Sequence, residues 1–115
     1  MRGNMVKFSE VVKIKRVACK KCFTLIYTLP CQVDRDLPKY LSSFGKLVYP
    51  LKSVTLVKID SDDGYTIQSK LKKNIIKFLI PKHLESKGVE KTRKPEFEKN
   101  LVKWMQNKLD IEIEL

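Results

Sequence analysis

Residues 95–108, PEFEKNLVKWMQNK, decide the fold class of this chain. Pro95 suits the first turn of a helix, because a backbone N–H there has no acceptor within the helix and the N–H that proline lacks is not needed. Acidic residues follow Pro95 and lysines lie near the end of the segment, and both arrangements are favourable for the helix dipole. Four large apolar residues recur at i, i+4, i+7 and i+8: Phe97, Leu101, Trp104 and Met105. This stripe must be buried against another layer, and a β-sheet is the expected partner.

Strand-like patterns surround this helix. Residues 11–18 alternate in polarity, and 23–29, FTLIYTL, are rich in β-forming residues. The turn sequence SDDG at 61–64 separates two further strands. Six strands are predicted, over residues 11–18, 23–29, 54–60, 65–71, 75–80 and 111–115, with a turn or bulge at 72–74. A short helix over 37–44, capped by Asp34 or Asp36, completes the elements.

The order of these elements resembles that of ferredoxin-like domains. Apart from the first strand, it runs strand, helix, two or three strands, helix, strand. We therefore predict an α+β fold, a ferredoxin-like (split β-α-β) antiparallel sheet with two helices on one face and an extra N-terminal strand. One domain should span 1–115, with a flexible segment at 1–9 and an exposed basic connection at 82–94. This fold serves many functions and identifies none.

The distribution of apolar residues points to the cytoplasm. No apolar stretch reaches the length of a membrane span, and charges interrupt the N-terminus where a signal peptide would be apolar. An odd number of cysteines also fits a reducing compartment better than a disulfide framework. We expect a cytoplasmic protein that does not enter a membrane.

The formal net charge of +11 is the strongest compositional signal, because such a surplus attracts phosphate polymers at long range. Lysines greatly outnumber arginines, which favours contact with phosphates over reading of base edges. The candidate nucleic-acid-binding residues are Lys13, Lys15, Arg16, Lys20, Lys21, Lys70, Lys72, Lys73 and Lys77. Tyr49 and Tyr65 are the candidates for stacking on bases. The alternative is that these lysines form only a solvated surface.

Cys19 and Cys22 have the C-x-x-C spacing that holds a metal, and Cys31 follows close enough to be a third ligand. A fourth ligand for zinc is missing nearby, since the only histidine is His83. The segment is better interpreted as a turn between strands, with Lys20 and Lys21 at its tip. We therefore expect no cofactor, and a zinc or thiol-redox module is the lesser alternative.

No phosphate loop, nucleophile elbow or catalytic triad spacing occurs, so we expect no enzyme activity. The leading hypothesis is a small non-catalytic protein that binds RNA or single-stranded DNA mainly through backbone phosphates. The alternative is an oligomerisation or adaptor subunit that pairs with a protein partner or a second copy through an open sheet face or edge. Val57, Ile59 and Ile76 are the sheet residues that such a partner would cover.

Overall fold

The computed structural model describes residues 5–18, 20–48 and 56–115. The strands are β1 (Met5–Lys7), β2 (Lys13–Ala18), β3 (Cys22–Thr28), β4 (Lys46–Val48), β5 (Leu56–Asp60), β6 (Thr66–Lys70), β7 (Ile75–Pro81) and β8 (Glu112–Glu114). The α-helices are α1 (Phe8–Val11), α2 (Leu37–Tyr40) and α3 (Val89–Leu109), and 3-10 helices cover Ser42–Phe44 and Lys82–Lys87.

Six of these strands form one antiparallel sheet in the order β2-β3-β7-β6-β5-β4. From β3 the chain crosses to the far edge of the sheet through α2 and the first 3-10 helix. The strands β4 to β7 then return as a meander and place β7 beside β3. The two terminal strands, β1 and β8, form a separate parallel pair in which Val6 lies opposite Ile113.

The α+β class and the antiparallel sheet are as predicted, but the ferredoxin-like arrangement is not confirmed. In a split β-α-β unit, one strand lies between the two parallel strands that the helix connects. Here three strands, β7, β6 and β5, lie between β3 and β4, and α3 leads to β8 outside the six-stranded sheet. The C-terminal strand does not close this sheet. It pairs instead with β1, which lies within the segment predicted to be flexible. The apolar side chain of Ile113 is buried in the core in this pairing as well, so β8 need not join the main sheet to bury it.

The helix α3 covers one face of the six-stranded sheet. All four residues of its predicted apolar stripe are buried. The ring of Phe97 makes edge-to-face contacts with Tyr27 at 5.0 Å and with Phe78 at 5.2 Å, which joins the helix to β3 and β7. The Tyr27 hydroxyl donates a 2.9 Å hydrogen bond to Glu98, so the polar end of this buried ring is satisfied.

The helix α3 is longer than its sequence pattern indicates. It begins at Val89, directly after Gly88 in a left-handed conformation (φ 71°), and therefore includes Pro95. Val89 is itself buried, and its packing stabilises turns that propensity alone does not favour. The segment predicted as an exposed connection, 82–94, is consequently a 3-10 helix followed by the beginning of α3.

Candidate nucleic-acid interface

The second face of the six-stranded sheet, here called the open face, lies opposite α3. Strand register places one row of residues across it from β2 to β4: Lys15, Ile26, Lys77, Gln68, Lys58 and Val48. Among the residues that the structure describes, none on this face is buried, whereas the alternate residues of β3, β5, β6 and β7 are. The open face is therefore accessible to a large ligand.

Among the residues that the structure describes, six lysines lie on the open face: Lys13, Lys15, Lys46, Lys58, Lys70 and Lys77. The described strands place one acidic residue there, Asp60, whose carboxylate is 3.5 Å from the ammonium of Lys58. Within residues 5–18, 20–48 and 56–115, the other five lysines form no ion pair. The face thus has a strong local excess of positive charge.

The lysines are spaced across the sheet rather than crowded together. Lys15, Lys77 and Lys58 lie in the same row, each two strands from the next, so the Cα atoms of successive lysines are about 10 Å apart. Ile26 and Gln68 lie between them. The row therefore offers three cationic groups over about 20 Å, with an apolar and an amide side chain in the intervals.

The structure brings together only part of the predicted site. Lys13, Lys15, Lys70 and Lys77 lie on the open face. Arg16 lies on the other face because successive strand residues alternate, and its guanidinium sits 4.3 Å from the centre of the Phe23 ring and 3.8 Å from Glu90.

The four remaining predicted residues lie in turns at opposite ends of the sheet. Lys20 and Lys21 precede β3, while Lys72 and Lys73 connect β6 to β7. The seven residues of β3 separate these ends by about 20 Å. Lys46 and Lys58 were missed, although the alternation of residues 56–60 places Lys58 opposite the buried Val57 and Ile59 and was a usable signal.

Backbone hydrogen bonds join the β6–β7 turn to the segment that follows β3. The backbone N–H of Lys72 donates to Val33 O at 2.9 Å, and Val33 N–H donates to Lys73 O at 2.7 Å. Leu29 N–H donates to Asn74 O at 2.7 Å. These bonds fix the turn to the segment that follows β3, and Lys72 is held with a left-handed φ of 68°.

The aromatic part of the prediction is wrong for Tyr65. Its side chain is 1% exposed and stacks on Phe78 with ring centres 4.9 Å apart, and burial raises the pKa of its phenol. Tyr65 therefore belongs to the core under α3 and offers no surface for a base. Tyr49, the other candidate, lies outside the described residues.

The cysteine hypothesis receives little support from the geometry. Cys22 begins β3 and Cys31 follows the other end of the strand, so their thiols are separated by about 20 Å and do not share one ion. Burial raises the pKa of the Cys31 thiol, which disfavours the thiolate. Cys19 lies outside the described residues, and the part of the chain that the structure describes contains no group of three potential metal ligands.

These features define an α+β domain whose six-stranded antiparallel sheet is covered by helices on one face and presents lysines on the other. No protein-family model, curated protein or solved structure matches this chain. None of the described helices is long and apolar enough to cross a membrane.

Proposed function

We propose that this chain is a non-catalytic protein that binds RNA or single-stranded DNA along the open face of its sheet. The observation that carries the proposal is the charge of this face, where the described strands place six lysines and one carboxylate, that of Asp60. Like charges held together on one surface repel one another, and a phosphate backbone relieves this repulsion while releasing its own counterions.

The shape of the open face favours a single strand over a duplex. The major groove of B-DNA admits a helix or a two-stranded ribbon, and a face six strands wide does not enter it. A flexible single strand can lie across the row that contains Lys15, Lys77 and Lys58. A lysine ammonium is a compact charge that contacts phosphates rather than base edges, so the affinity should depend only weakly on base sequence.

The test compares two variants of equal charge. The first replaces Lys15, Lys58 and Lys77 with Gln, and the control replaces Lys91, Lys99 and Lys103, which are exposed on α3, with Gln. Both lower the formal net charge of +11 by three. Fluorescence anisotropy with labelled single-stranded and duplex oligonucleotides, at low and near-physiological salt, gives the affinity and its salt dependence.

The open-face variant should lose roughly tenfold or more in affinity for single strands. Its plot of log K against log salt should become shallower by about 2, because each lost phosphate contact removes about 0.7 from the slope. The control should lose far less. Equal losses of affinity in both variants would show that binding depends on the overall charge and not on the open face. An absence of saturable binding by the wild-type chain at low salt would contradict the proposal altogether.

The edge strand β2 favours a second candidate, an adaptor that pairs with another chain. All six residues of β2 are exposed, including Ile14 and Val17 at 41% each. By contrast, the residues that the sequence predicts a partner would cover, Val57, Ile59 and Ile76, are buried. A stable dimer by size-exclusion chromatography with light scattering, together with absent oligonucleotide binding, would select the adaptor.

A further inference from the structure

A cavity of about 290 Å³ lies at the margin of the open face, where β5, β6 and β7 approach the β6–β7 turn. Three lysines and two amide residues contribute to its lining, together with Leu56 and Ile75. The cationic and amide members are Lys70, Lys73, Lys77, Gln68 and Asn74. The site therefore combines phosphate-binding groups with an apolar surface.

The backbone of one side of this cavity is hydrogen-bonded to the segment that follows β3. Lys73 and Asn74 belong to the turn that three backbone hydrogen bonds fix to Leu29 and Val33. The preceding residue, Lys72, has a φ of 68°, a left-handed conformation that is unfavourable for a residue with a side chain. Strain of this kind persists where the surroundings enforce it, and it is common at ligand sites.

We propose that this cavity binds the terminal phosphate monoester of a nucleic-acid strand that lies on the open face. The inference rests on the proposed function and names the end of the ligand that this part of the site would recognise. A phosphate monoester carries about −1.5 to −2 charges at neutral pH, whereas an internal phosphodiester carries one. Lys70, Lys73 and Lys77, which form no ion pair among the described residues, match the larger charge.

The size and lining of the cavity fit a terminal nucleotide. Its volume is near the lower end of the range for small-molecule sites. Ile75, 39% exposed, supplies apolar surface beside the lysines for a sugar or base edge. Gln68 joins the cavity to the row formed with Lys77 and Lys58, so a strand end bound here continues directly onto the open face.

The experiment measures binding of one oligonucleotide with a 5′-phosphate, with a 3′-phosphate and with two hydroxyl ends. Nucleoside 5′- and 3′-monophosphates and the free nucleoside are titrated in parallel by NMR. The cavity variant replaces Lys70 and Lys73, both exposed, with Gln, and the matched variant replaces Lys15 and Lys58 with Gln. Lys77 is left intact because it belongs to both parts of the surface.

The wild-type chain should bind one of the two phosphorylated oligonucleotides at least fivefold more tightly than the oligonucleotide with two hydroxyl ends. Comparison of the 5′-phosphate with the 3′-phosphate oligonucleotide identifies which end is bound. The cavity variant should lose this preference, and the matched variant should keep it while binding all three oligonucleotides more weakly. Equal affinity for all three in the wild-type chain overturns the inference and leaves the proposed function standing. Binding of a nucleoside monophosphate that depends on Lys70 and Lys73, without oligonucleotide binding, would overturn both the proposed function and the strand end as the ligand, and would make the cavity a site for a free nucleotide.

Discussion

The indole Nε1 of Trp104 donates a 3.0 Å hydrogen bond to Oδ1 of Asp34, and this contact joins α3 to the segment that leaves β3. The other carboxylate oxygen accepts a 2.7 Å hydrogen bond from the Lys108 ammonium. Oδ1 also accepts the backbone N–H groups of Asp36 and Leu37 at the start of α2. One carboxylate thus holds the chain against α3 as it begins its crossing to β4.

Asp34→Ala should destabilise the fold by about 1–3 kcal/mol, because the buried Trp104 indole and the N–H groups of α2 lose their acceptor. Urea denaturation monitored by Trp104 fluorescence measures the change. Asp36→Ala is the control, since its ion pair with Lys39 is exposed and should contribute less than about 1 kcal/mol. Equal losses in the two variants would show that Asp34 has no special role.

The same carboxylate should make stability depend on acid pH. Burial of Asp34 acts to raise its pKa, but the hydrogen bonds from Lys108 and Trp104 outweigh burial and lower it. A lowered pKa in the folded state stabilises the protein above the unfolded value of about 3.9, and this contribution is lost as the pH falls below it. The stability advantage over Asp34→Asn should therefore be constant near neutral pH and shrink below about pH 4. A difference that stays constant to pH 2.5 would contradict the lowered pKa.

The sequence was informative wherever periodicity and burial coincide. The stripe on α3 and the alternation of β3 identify buried faces because apolar residues recur there at the helical and strand periods. The same alternation already separated Lys13 and Lys15 from Arg16, since neighbouring residues of a strand lie on opposite faces. It also placed Tyr65 with the buried Ile67, a signal that the assignment as a stacking residue overlooked.

The parts that were not predictable depend on pairing between distant segments. The alternation of residues 111–115 shows a strand with one apolar face, but it does not show that β1 rather than the main sheet is its partner. The short strand β4 has no pattern of its own, and its lysine, Lys46, reaches the open face only through pairing with β5. The charge of the open face is therefore a property of the register and not of any one segment.

Gly45 should resist substitution for a purely steric reason. Its φ of 165° is extended backbone, but a Cβ there would lie 2.3 Å from the carbonyl oxygen of Asp60 and 2.6 Å from the Cα of Ser61. Gly45→Ala should push β4 away from β5 and cost about 1–3 kcal/mol. Amide hydrogen exchange should show faster exchange at Lys46 and Val48.

Gly88→Ala is the matched substitution for this prediction. An added Cβ at Gly88 meets no atom within 4 Å, so only the left-handed φ opposes it, at a cost of about 1–2 kcal/mol. Exchange in β4 should be unchanged in this variant. Intact protection of β4 in Gly45→Ala would show that the neighbouring strand accommodates the methyl group and would contradict the steric argument.

Lysines on β2 should also keep this edge strand from pairing with other chains. The strand pairs with β3 on one side, and all six of its residues are exposed. Replacing Lys13 and Lys15 together with Val would join them to the exposed Ile14 and Val17 in one apolar, β-forming edge, which is a template for intermolecular strand addition. Light scattering at 37 °C should therefore rise severalfold faster than in the wild-type chain.

The control replaces two exposed lysines of α3, Lys99 and Lys103, with Val and should scatter much less, because no strand edge is present there. Equal aggregation of the two variants would assign the effect to lost charge and not to the edge of β2.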